Sequence, residues 1–242
     1  MAIYAIGDLH LPGHQEKPMN VFGDHWDRHF DVIRENWLSM VSPEDVVLIP
    51  GDISWAMQLD EARDDLMQIA ALPGRKLLLR GNHDYWWNSI SKVRALLPEN
   101  MYAIQNDALA LDGVVYCGTR GWNIPGEGQP ADPQDVKIFQ RELLRLEMSL
   151  QQAEKLAGGS LPVVVMMHYP PLYKDLLSTP FTEILERYEV RTVVFGHLHG
   201  AGIKVGFEGT LRGVKYHLVS CDALHFSLRR IDEGDVRLPD EI

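Results

Sequence analysis

Leu77 to Asp84 reads Leu-Leu-Leu-Arg-Gly-Asn-His-Asp. An apolar run long enough for one buried strand stops at a glycine, and the next three positions supply an amide, an imidazole and a carboxylate. In open α/β sheets, ligands bind at the carboxyl ends of the strands. The stretch therefore reads as a strand over Lys76 to Leu79 that delivers Gly81-Asn82-His83-Asp84 to the edge of a site. Asn82 offers a neutral amide oxygen, and His83 followed by Asp84 has the form of an imidazole oriented or made more basic by an adjacent carboxylate. A Gly-Asn turn by itself needs neither residue.

The same pattern recurs on both sides. Ile3 to Ile6 is short and apolar and runs into Gly7-Asp8-Leu9-His10; a period of two places Asp8 and His10 on one side, where both could reach one ion. Asp45 to Ile49 is a second buried strand, followed by Gly51-Asp52. With two oxygens Asp52 could bridge two cations, the alternative being an N-cap for the next helix. Val163 to Met167 leads to His168, held before Pro170-Pro171. Thr192 to Phe195 leads to Gly196-His197-Leu198-His199-Gly200, where the glycines leave the backbone free to aim both rings at one centre.

Between these strands lie covering helices. Trp26, Phe30, Ile33, Trp37 and Val41 fall at helical spacing after a possible Asp24 cap, and Leu59, Ala62, Leu66, Ile69 and Leu72 form a second amphipathic set. Trp86, Trp87, Ile90, Val93 and Leu97 predict a third; the tryptophans read as packing, with one rimming a pocket as the alternative. Val136 to Leu156 keeps an apolar stripe that ends at Gly158-Gly159 and fits packing on the sheet better than a coiled coil. Leu109 to Tyr116, broken at Asp112-Gly113, predicts a hairpin and hence a mixed sheet. Beyond it Arg120, with Gly118 and Gly121 close by, is the candidate substrate-facing cation. A guanidinium suits phosphate oxygens, and a structural ion pair is the alternative. Val214 to Ser220 and Leu224 to Ile231 read as strands, with Cys221 and Asp222 at the end of the first, and Asp232 to Ile242 as a frayed acidic tail. His14, His25 and His29 read as solvated.

At 242 residues and 45% hydrophobic content the chain suits one large α/β domain spanning 1–242. A formal charge of -11 and the lack of a basic stripe disfavour nucleic acid as a partner, and with it a nuclease. Cys117 and Cys221 suggest neither a disulfide framework nor a thiolate cluster. No segment reaches about 18 uninterrupted apolar residues and the N-terminus lacks a signal-peptide pattern, so the expectation is a cytoplasmic protein with no membrane partner.

Asp8, His10, Asp52, Asn82, His168, His197 and His199 all follow predicted strands, so one sheet edge would gather them. Hard oxygen and imidazole donors without thiolate suit manganese, iron or zinc, and their number suits two ions about 3.5–4 Å apart. Gly-Asp-Leu-His, Gly-Asp, Gly-Asn-His-Asp, His168 and Gly-His-Leu-His, in this order from Gly7 to His199, resemble the calcineurin-like metallophosphoesterase superfamily. The resemblance implies a four-layer α/β/β/α sandwich of two mixed β-sheets. It implies one ion on Asp8, His10, Asp52 and His199 and another on Asp52, Asn82, His168 and His197. It further implies hydrolysis of a phosphomonoester or phosphodiester by attack of a hydroxide bridging the ions. His83, backed by Asp84, would then stabilise the transition state or protonate the leaving oxygen. A catalytically silent interaction scaffold of the same fold is the alternative. Substrate choice would lie in loops such as 11–23 and 119–133, which the motifs do not decode.

Overall fold

Alternation of side chains along short apolar strands divides the core in this computed structural model, which describes residues 1–15, 17, 19–125 and 132–231. Strands β1 (Ile3–Ala5), β2 (Val46–Pro50), β3 (Arg75–Leu79) and β4 (Met101–Ile104) run parallel in one sheet, and β11 (Arg229–Ile231) joins β1 antiparallel at its edge. The other sheet has the order β5 (Ala108–Leu111), β6 (Val114–Thr119), β7 (Val163–Met167), β8 (Thr192–Phe195), β10 (Val214–Leu218), β9 (Gly209–Leu211). Its four central strands are parallel and its two edges antiparallel. Both sheets are mixed, as the family resemblance implies.

Parity then builds the layers. Ile3, Ala5, Val46, Leu48, Leu77 and Leu79 face Tyr116, Val164, Met166 and Val194 across the interface between the sheets. The alternate residues point the other way. Val47, Ile49 and Leu78 meet Ile33 and Trp37 of α1 (His29–Met40), Leu66 and Ile69 of α2 (Leu59–Ala70) and Val93 of α3 (Ile90–Leu96). On the far side Val165, Met167 and Val193 meet Phe139, Leu146 and Leu150 of α4 (Pro133–Ala157) and Phe181 and Leu185 of α5 (Pro180–Arg187). Among the described residues no helix is long and apolar enough to cross a membrane.

Local chemistry accounts for the departures from the expected elements. Trp86 and Trp87 are buried packing residues, but they lie in a turn and α3 starts only at Ile90. Their indoles are taken by Asp84 at 3.0 Å and Gln105 at 2.7 Å, which fixes the chain before it can coil. Asp24 opens a separate 3-10 turn, and α1 is preceded by Arg28 at φ 51°. Gln58, with Glu61, caps α2, so Asp52 is free of that duty. Helix α5 starts from Thr179 and Thr182, whose hydroxyls each accept from or donate to the other's backbone, and it was not evident from its short apolar content. Residues 16 and 18 of the 11–23 loop, 126–131 of the 119–133 loop and the acidic stretch from 232 lie outside the described residues.

Candidate metal centre

Strands β1, β2 and β3 of one sheet and β7 and β8 of the other end at a common edge. Past β1 the chain stitches the sheets together: the Gly7 amide donates to Val219 O at 2.7 Å, and the Cys221 amide donates to Gly7 O at 3.1 Å. The loops leave their strands sharply. Asp8, His10, Asp52 and His197 have φ of 59°, 45°, 51° and 74°. Each such residue costs about 1–3 kcal/mol and persists only where its surroundings hold it. Here they do, since the Asp8 and His10 amides donate to the carbonyls of Gly51 and Asp52 at 2.9 and 3.0 Å. Two glycines supply room: a Cβ on Gly196 would lie 2.2 Å from Asp8 Oδ2, and one on Gly81 would lie 2.1 Å from Asp52 Oδ1.

Asp8, His10 and His199 form one group of potential donors and Asp8, Asp52 and His168 another, with the donor atoms of each group within 4.8 Å of one another. In the first nest His10 Nε2 lies 3.3 Å from His199 Nε2, and His199 Nε2 lies 3.4 Å from Asp8 Oδ1. In the second, Asn82 Oδ1 is 2.7 Å from His168 Nε2 and 2.9 Å from His197 Nδ1. Asp52 Oδ2 stands between them, 3.7 Å from His10 Nε2 and 3.5 Å from His168 Nε2. All seven expected donors are therefore brought together.

The surroundings fix the tautomers. His199 Nδ1 is 2.9 Å from Asp222 Oδ1, and His168 Nδ1 is 3.0 Å from the Pro50 carbonyl. A carbonyl only accepts, so His168 carries its proton on Nδ1 and turns the Nε2 lone pair toward the Asn82 oxygen. Two acceptors facing each other at that distance are an arrangement that a cation between them resolves, and the second nest fits one on this ground. The first nest fits one by its donor set, a carboxylate and two imidazoles within 4.8 Å of one another.

Charge tells the same story. Burial is the largest influence on the site: it keeps His10 and His168 below the usual histidine range and, with the neighbouring His168, brings His197 down to about 3. These rings are neutral donors at neutral pH. Burial also opposes the charge on His199, but Asp8 and Asp222 outweigh it and raise that ring to about 10. Burial and then the charges of Asp8 and Asp84 push Asp52 well above the carboxylate range. A carboxyl so placed becomes an anion again when a divalent cation adjoins it.

The pairing expected between His83 and Asp84 is not what the structure contains. Asp84 is buried and accepts from the amides of Ile53, Ser54 and Gly81 and from the Trp86 indole, so it braces the loop backbones instead. His83 Nδ1 is buried without a hydrogen-bond partner, while its amide donates to Asp52 Oδ1 at 2.8 Å and its ring lies 4.5 Å from Trp55. Arg120 stacks over Trp122 at 4.6 Å, and its carbonyl accepts from the His168 amide at 3.1 Å. Sequence reading missed Asp222. Its signal was present, because it closely follows a predicted strand just as Asp8 and Asp52 do. Trp55 was also passed over; it stacks on His10 at 4.9 Å. Among the loop and helix histidines, His29 Nε2 backs the site through the Leu9 carbonyl at 2.8 Å, whereas His14 pairs with Asp64 on the surface.

Comparison with known proteins accords with this geometry. The chain is similar to a protein of unknown function from Aquifex aeolicus, with a TM-score of 0.50, 20% identity and 95% of each chain covered. It is also similar to the phosphopantetheinyl hydrolase of Mycobacterium tuberculosis, with a TM-score of 0.55, 16% identity and 96% of each chain covered. At such identities the likeness is one of fold. A search of curated proteins found no match. Residues 1–201 match the family described as calcineurin-like phosphoesterase, a span that takes in both nests up to His199. On that match the chain belongs to the calcineurin-like phosphoesterase family.

Proposed function

We propose that the protein is a dinuclear-metal phosphoesterase that hydrolyses a phosphomonoester or a phosphodiester. Asp8, His10, Asp52 and His199 would hold one cation, and Asp52, Asn82, His168 and His197 the other; manganese, iron and zinc suit such a donor set. The observation that carries the reading is the single Asp52 carboxylate oxygen placed within 3.7 Å of one nest's histidine and 3.5 Å of the other's. Two cations bound there supply charge to polarise a phosphoryl group and to acidify water.

The chain's own residues do the rest. Asp222 and the Pro50 carbonyl hold protons on the outer nitrogens of His199 and His168, so that the inner nitrogen of His168, and that of His199 once a cation displaces its proton, would face the ions. Trp55 and Tyr169 cover the nests, with ring centroids 4.9 Å from His10 and 4.1 Å from His197, and limit access of bulk water. His83 belongs to neither nest. Burial and the nearby His168 bring it down to about 4, so the ring is neutral in the resting protein. A phosphoryl dianion beside it would favour the protonated form, and its unpartnered Nδ1 is then available to stabilise or protonate the departing oxygen.

The test is hydrolysis of para-nitrophenyl phosphate and bis-para-nitrophenyl phosphate by chelator-treated protein, with manganese, iron, zinc or magnesium restored in turn. Turnover that returns only with metal is expected, and the ratio of the two rates separates monoesterase from diesterase. Two ions bound per chain with no turnover on either ester would point to a metal-binding scaffold.

A further inference from the structure

Beside the nests, at the same edge, a cavity of about 220 Å³ is lined by four arginines, Arg80, Arg120, Arg141 and Arg145, with Glu142 as its only acidic residue among the described residues. Strand ends and a helix face converge to build it: Arg80 follows β3, Asn106 follows β4, Arg120 follows β6, and the other two arginines project from α4. Such crowding of like charge is unexpected in a chain of formal charge -11.

Glu142 is already engaged. Its Oε1 lies 2.6 Å from Arg145 and 3.8 Å from Arg141, and its Oε2 accepts from the Thr119 hydroxyl at 2.6 Å. Among the described residues no carboxylate lies within ion-pair distance of Arg80 or Arg120. The Arg80 Nε is buried without an acceptor, and the Arg120 guanidinium has the face of Trp122 as its neighbour. These cations are held together without the anion that their geometry suits.

The chain links the cavity to the metal centre at two points. Arg80 stands two residues before Asn82, at most about 7 Å along the chain, and the Arg120 carbonyl holds the His168 amide. We infer that this arginine cavity is a second phosphate subsite of the same active site, and that the substrate is an ester carrying two phosphoryl groups a short linker apart. One phosphoryl group would lie at the cations and the other among the guanidinium groups. The inference rests on the phosphoesterase reading for the first group, and on the arginines alone for the second.

Its test is a series of α,ω-alkanediol bisphosphates of increasing chain length, each compared with the matching alkyl monophosphate, using metal-loaded full-length protein. At the favoured length kcat/KM for the bisphosphate should exceed that for the monophosphate by about tenfold or more. Arg80→Gln and Arg120→Gln should collapse that ratio toward one. Arg141→Gln, at an arginine that is half exposed, should reduce it less and guards against a folding failure in the other two. Calorimetric titration of metal-free protein with the same bisphosphates gives a second readout, in which the arginine variants should bind more weakly. Equal kcat/KM for bisphosphate and monophosphate at every length overturns the inference, as does a preference that survives in all three variants. If neither ester turns over with any metal while the arginine-dependent binding remains, the phosphoesterase reading fails and the anion subsite stands.

Discussion

The two nests share Asp52 and differ in what stands behind them. Behind His199 is a carboxylate, Asp222, so that ring lies between two acids, Asp8 and Asp222, and retains its proton up to about 10. Behind His168 is the neutral Pro50 carbonyl, beside the neutral Asn82 amide, and His197 drops to about 3. His197 and His199 belong to one short motif, two residues apart, yet face opposite electrostatic surroundings. Donor type alone therefore does not set the character of a metal site; the groups that hold the donors do so as well. The nest of His199 should bind its cation more tightly, and the two should fill in sequence.

The largest expected effect comes from removing what the nests share. Asp52→Asn should lower bound metal from two ions to fewer than one per chain, read by elemental analysis, and reduce kcat/KM on the order of 10³-fold or more. Retention of both ions would end the bridging assignment. His83→Ala should cut turnover by about 10²–10⁴-fold with metal content intact, because that ring lies outside both nests. A parallel fall in metal content would place it inside one. Asp222→Asn should weaken metal binding about 10–100-fold in the nest of His199 only, seen as the loss of the tighter step in a titration. If the weaker step moved instead, the comparison would be inverted.

Two smaller effects concern stability. Chelation should lower Tm by about 5–10 °C, from roughly 2.7 kcal/mol at a hundredfold excess of metal over Kd, and by less in Asp222→Asn. Lys76 offers a buried charge with no acid in ion-pair distance among the described residues, as a contrast to both nests. Its ammonium donates to the Ala70 carbonyl at 3.2 Å and to that of Leu72, and burial lowers it from 10.5 to about 8. Between those values the unfolded chain binds more protons than the folded one. Stability from this group therefore rises with pH from about 8 to 10.5 and is flat below. Denaturant midpoints measured across that window should rise in the natural protein and lose this component in Lys76→Met.

The donors were legible because each follows a short apolar run, a pattern imposed by the need to bury strands and expose their ends. Asp222 carries the same signal, but it stands alone after its strand, and nothing local connects it to a histidine 23 positions away. Asp84 misled for the opposite reason. Adjacency suggested a partner in His83, but its carboxylate turns inward to three backbone amides drawn from two loops. The layered fold followed from the family resemblance and not from periodicity, since a strand buried on both faces reads alike in one sheet or two. Helix α4 was found from its apolar stripe, while Arg141 and Arg145 lie off that stripe and acquire meaning only when Arg80 and Arg120 arrive from other strands.

The stitching of Gly7 to Val219 and Cys221 has a consequence for how the molecule matures. Asp8, from the first strand, is set between Gly51 on one side and a segment more than 200 residues later on the other, and the His199 ring waits for Asp222. Contacts of such sequence separation form late and slowly. During synthesis the nascent chain would present most of its donors well before their supports exist. Capture of the tightly held cation should thus coincide with the docking of the last strands, making metal uptake a report on completed folding.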